Sequence, residues 1–128
     1  MDSGFDEAIK RINQSYEWSQ SNDPQEFEWS KRLDLSRLGL TKLPDIIEQC
    51  GHVTRLNLNW NDFELIPEVV YKLTNLTELR ISYNKLKIVP VNLEQLPNLT
   101  WIDLSFNKIQ CYPNKIGNRS NFLAGVYI

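Results

Sequence analysis

His52 is the only histidine in 128 residues, so any Ser/His/Asp or Cys/His nucleophilic site would have to be built around it. It sits in Cys50-Gly51-His52-Val53-Thr54, which reads as a polar turn, and no partner at a suitable spacing stands out. Two cysteines and one histidine are too few for a Cys/His zinc module or a disulfide framework. There is no Gly-rich phosphate loop, no H-E-x-x-H and no D-x-D-x-D-G calcium loop. Carboxylates are abundant, but no spacing marks an acid/base pair. The reading is a chain without catalytic residues, metal ligands or a cofactor, and so not an enzyme.

A different chemistry, recognition, is carried by residues that recur at a fixed interval. One column reads Arg37, Trp60, Tyr83, Phe106, and another reads Arg32, Arg55, Glu78, Trp101. Aromatic and Arg residues supply most protein-interface hot spots. The predicted partner-binding residues are Arg55, Asn57, Asn59, Trp60, Glu78, Arg80, Ser82, Tyr83, Trp101, Asp103 and Phe106. The alternative is structural, because stacked neighbouring rings stabilise each other within the fold.

The elements that position these columns come from a 23-residue period. LDLSRLGLTKLP from Leu33, LNLNWNDFELIP from Leu56, LRISYNKLKIVP from Leu79 and IDLSFNKIQCYP from Ile102 are spaced by 23 each time. Pro44, Pro67, Pro90 and Pro113 keep the same spacing, as do Ile47, Val70, Leu93 and Ile116. In L-x-L the apolar residues alternate, so they share one face of a short strand. One such unit cannot bury that face alone, and neighbours must stack. Leu33, Leu35, Leu56, Leu58, Leu79, Ile81, Ile102 and Leu104 are expected to point inward. Asn61, Asn84 and Asn107 are expected to bridge adjacent coils, because a side-chain amide both donates and accepts. The prolines fix φ and end the strand register. Cys50 falls in the core column of Leu73 and Leu96. Cys111 belongs to the column of Leu65 and Ile88, and at about 4.8 Å per coil the two thiols would lie roughly 14 Å apart, too far for a disulfide.

The pattern L-x-L-x-x-N-x-L resembles the leucine-rich repeat family, and the following L-P-x-x-I-x-x-L-x-x-L resembles its 23-residue subclass, found in Ras-suppressor-like and bacterial repeat proteins. The resemblance covers residues 32 to about 124. It implies an α/β fold: a right-handed solenoid with a short parallel sheet on its concave face. It also implies a protein-protein interaction module that binds through that face. A recognition or autoinhibitory part of a larger enzyme, such as a ubiquitin ligase effector or a GTPase fusion, is the alternative. A third reading is a structural module that self-associates through its C-terminal edge.

The ends depart from the period. Residues 1–31 hold seven acidic and three basic residues, and Phe5, Ile9, Ile12 and Tyr16 recur at helical spacing. A helix there, with Phe27 and Trp29, is expected to cap the first coil, while Ser19 to Pro24 reads as a loop. Residues 32–128 form four 23-residue units plus a short C-terminal strand at Val126 and Ile128, offset by 24. The net charge of −2 argues against nucleic acid as a partner. No apolar run is long enough to span a bilayer and no leader pattern is seen, so the expected location is the cytoplasm, with delivery into a host cell left open.

Overall fold

The computed structural model describes residues 3–88 and 93–110, together with the backbone of 125–127. Cys111, Pro90, Pro113, Ile116 and Ile128 of the sequence argument lie outside the described residues. Two helices, α1 (Ser3–Ser19) and α2 (Pro24–Ser30), precede five three-residue strands. These are β1 (Arg32–Asp34), β2 (Arg55–Asn57), β3 (Glu78–Arg80), β4 (Trp101–Asp103) and β5 (Gly125–Tyr127), with short 3₁₀ turns on the return path after each of the first three. The strands form one parallel sheet in chain order. Leu33, Leu56, Leu79 and Ile102 are register partners, and Ile102 pairs with Val126, so the last step is the 24-residue one.

Three of the strands, β1, β2 and β4, are each stopped by their own last residue. The Asp34 carboxylate accepts the Ser36 N–H at 2.9 Å, Asn57 Oδ1 accepts the Asn59 N–H at 2.9 Å, and Asp103 accepts the Ser105 N–H at 3.0 Å. Such side-chain turns offer the backbone a partner in place of the ladder. Pro44 and Pro67 then start the first two 3₁₀ turns, with φ of −60° and −58°. Ile47 N–H and Val70 N–H donate to their carbonyls at 3.1 and 3.0 Å.

All eight L-x-L positions from Leu33 to Leu104 are buried in a single core. The asparagine ladder holds the coils in register. Asn61 Nδ2 donates to the Leu35 carbonyl at 2.9 Å while its Oδ1 accepts the Leu40 N–H at 2.9 Å. Asn84 repeats this with Leu58 and Phe63, and Asn107 with Ile81 and Leu86. In the first coil the equivalent residue is Leu38, where no earlier coil exists to be bridged.

The open end of that coil is covered by α1. Ala8 and Ile12 are fully buried in the repeat core, and Phe5 packs against it. The buried face of α1 is Ala8, Ile12 and Ser15, so Tyr16, expected to face inward, is instead exposed. Phe27 and Trp29 are also exposed, at 41% and 50%. Their helix, α2, is an element that the sequence pattern does not separate from the cap. It begins on Asp23, whose carboxylate accepts the Gln25 N–H at 2.9 Å ahead of Pro24. Gly4 lies so close over the Leu38 carbonyl that a Cβ there would collide with it.

Candidate interaction surface

The aromatic column forms a continuous stack. Trp60 and Tyr83 are parallel within 6° at 3.9 Å between centroids, and Tyr83 and Phe106 within 10° at 4.4 Å. The Arg37 guanidinium extends the stack, 4.8 Å from the Trp60 ring. Trp60, Tyr83 and Phe106 remain 44%, 37% and 67% exposed.

The stack is not on the strands, where the sequence pattern puts it. The strands end at Asp34, Asn57, Arg80 and Asp103, three residues earlier. Arg37, Trp60, Tyr83 and Phe106 all have left-handed backbone, with φ of 60°, 60°, 55° and 56°. They turn the chain away from the sheet and line its C-terminal rim. A non-glycine residue there costs roughly 1–2 kcal/mol, and one ring stack returns about 0.5–1.5 kcal/mol.

Along the sheet itself the second column makes its own contacts. Arg80 Nε pairs with Glu78 Oε2 at 3.0 Å, and its guanidinium lies 4.8 Å from the Trp101 ring. A depression of about 250 Å³ is lined by Arg32, Leu33, Asp34, Arg55, Leu56, Asn57, Glu78 and Arg80. A second, about 380 Å³, adjoins it across Arg32, Leu33 and Asp34 and is completed by Arg11, Gln14, Ser15 and Trp18. Arg11, Gln14 and Trp18 are not legible in the sequence as site residues, because α1 has no repeat register to align them with. Arg11 donates from Nη1 to the Asp34 carbonyl at 3.0 Å and pairs with Glu7 at 3.1 Å.

The polar site residues are less available than predicted. Ser82 is 3% exposed and is not a surface contact. Its N–H donates to Asn59 Oδ1 at 2.8 Å, so that oxygen is engaged as well. Asn57 and Asp103 hold the strand-ending turns. Alternation predicts Ser82 facing outward, but the strand has ended two residues before it.

One pair has the look of a nucleophile and base: His52 Nε2 lies 2.8 Å from Ser15 Oγ. Ser15, however, is 3% exposed and donates its hydroxyl hydrogen to the Ser30 carbonyl at 2.9 Å, so it receives the His52 N–H. Burial lowers the His52 pKa, against a smaller opposing effect of a hydrogen bond with the Ser15 backbone. Cys50 is fully buried, and burial pushes its thiol up to about 11 despite a hydrogen bond with Ser15. The cluster is structural. Asn75 and Asn98, in the His52 column, donate to the Gly51 and Thr74 carbonyls of the preceding coil at 2.6 and 3.0 Å. His52, with no coil before it, bonds α1 instead. Among the described residues, no group of three His, Cys, Asp or Glu side chains could hold a metal ion, and no helix is long and apolar enough to cross a membrane.

Residues 51–109 match the family model described as leucine rich repeat. The sequence has no significant match among curated proteins. Among solved structures, a Shigella effector LRR domain is similar, with a TM-score of 0.59 and 24% identity. The match covers 94% of this chain and 54% of that one, so this chain spans about half the length of the structure it resembles. At that identity the likeness concerns the fold.

Proposed function

We propose that this chain, whose repeats belong to the leucine-rich repeat family, captures a protein partner across its sheet face and the aromatic rim beside it. Domains of this family generally serve as protein-interaction modules rather than catalysts. The observation that carries the reading is the rim itself. Three large rings occupy backbone positions that glycine would fill without strain, and they remain exposed after stacking. Strained backbone kept at an exposed site is a recurring mark of function. Flat aromatic area beside Arg80, Glu78 and Trp101 gives an anchor together with orienting charge. In this reading residues 1–31 are the cap of the array and residues 32–128 its binding body.

The test compares wild type with a Trp60→Ala/Tyr83→Ala double variant as bait. A partner retained by wild type and lost from the variant, with the variant still folded at the assay temperature by circular dichroism, supports the proposal. Equal capture by both overturns it.

A further inference from the structure

The sheet face sets two like charges on neighbouring strands and gives neither a counter-ion among the described residues. Arg32 and Arg55 are direct register partners on β1 and β2, and both are exposed. Like charges opposite one another on adjacent strands are destabilising. Among the described residues, neither guanidinium has an ion pair or a hydrogen bond, although carboxylates are near. The Asp34 carboxylate is turned onto the N–H and hydroxyl of Ser36. Glu78, the register partner of Arg55, gives its carboxylate to Arg80. Each anion at the rim of the depression is thus held by another group, and the two cations are left facing the same open space.

We propose that Arg32 and Arg55 together clamp a carboxylate of an acidic segment in the protein partner. The N–H groups of one guanidinium fork match the spacing of the two carboxylate oxygens, and forks from neighbouring strands can approach one carboxylate from two sides; charge-assisted bonds of this kind are strong and directional. A bound carboxylate would also relieve the repulsion between them. The inference rests on the proposed use of the sheet face, and it adds the chemistry of the occupant: acidic rather than basic or purely apolar.

The probe is a fluorescein-labelled ten-residue glutamate peptide, followed by anisotropy in 50 mM NaCl, beside its glutamine and lysine counterparts. The glutamate peptide is expected to bind, the other two at least tenfold more weakly. Arg32→Gln and Arg55→Gln should each weaken binding about tenfold, and both together should abolish it. Lys72→Gln, a control at an ion pair on the return path, should change nothing. Because both arginines are exposed, circular dichroism of the variants should match wild type. Absence of glutamate-peptide binding, or equal binding by the double variant, overturns the clamp. Capture of a partner by the Arg32→Gln/Arg55→Gln protein at wild-type level also overturns it, while leaving the aromatic-rim reading standing. So does a loss of capture confined to the Trp60→Ala/Tyr83→Ala protein.

Discussion

Asn84 Oδ1 accepts the backbone N–H of Phe63, one coil earlier, at 3.0 Å, and Asn84 is itself only 6% exposed. Its Nδ2 donates to the Leu58 carbonyl at 2.9 Å. Asn84→Ala therefore strands a buried donor and a buried acceptor together. The expected cost is about 2–4 kcal/mol, measured by urea unfolding. Asn98→Ala removes a single bond at an exposed position and should cost no more than about 0.5 kcal/mol. Similar losses in both would mean that the ladder contributes nothing beyond an ordinary surface bond.

The joint between α1 and the first coil should respond to pH through His52. Its pKa is lowered in the folded protein from 6.5, so below that value the unfolded chain binds more protons than the folded one. The stabilisation is fully present above about pH 6.5 and is lost as pH falls through the lower folded value. The melting temperature is expected to drop between pH 7 and pH 5. In His52→Asn, which restores the residue type of its column, that part of the drop should disappear. An unchanged pH slope in the variant would assign the effect to other groups.

Gly4 offers a case where helix propensity and packing oppose each other. Gly→Ala within a helix ordinarily gains up to about 1 kcal/mol. Here the added Cβ meets the Leu38 backbone carbonyl, which cannot rotate away as a side chain could. Overpacking of this kind costs about 1–3 kcal/mol, so Gly4→Ala should be net destabilising. Amide exchange should show α1 opening before the repeats. A melting temperature raised by the substitution would show that α1 shifts at no cost.

The repeat register is legible in the sequence because several columns agree at once. The same columns identify Asn61, Asn84 and Asn107 as bridges without any distance. Leu38 in place of asparagine, and His52 in place of Asn75, are the sequence trace of a first coil with no predecessor, although what His52 bonds cannot be read there. The backbone of the rim is hidden for a physical reason. Left-handed residues are normally announced by Gly or Asn, and S-Y-N and S-F-N instead read as a continuing strand. Extending the alternation one turn too far then places Ser82 on the surface, where it is not. Helix α2 is obscured by its length, because seven residues carry too few periods to show a face. Arg32 is visible as a repeat column, but its missing counter-ion depends on where Asp34 and Glu78 turn.

Tyr83 decides whether the rim is strand or turn. With φ at 55°, alanine there carries the left-handed penalty and glycine does not. Tyr83→Ala and Tyr83→Gly both lose the stacks to Trp60 and Phe106, so that loss cancels between them. Tyr83→Gly should then be the more stable of the two by about 1 kcal/mol in urea unfolding. On a strand the order reverses, because glycine in an extended interior costs about 0.5–1 kcal/mol relative to alanine. The sign of the difference thus reads the backbone directly. If Tyr83→Ala is the more stable, the rings lie on the sheet face, and the strain argument for a recognition rim loses its basis.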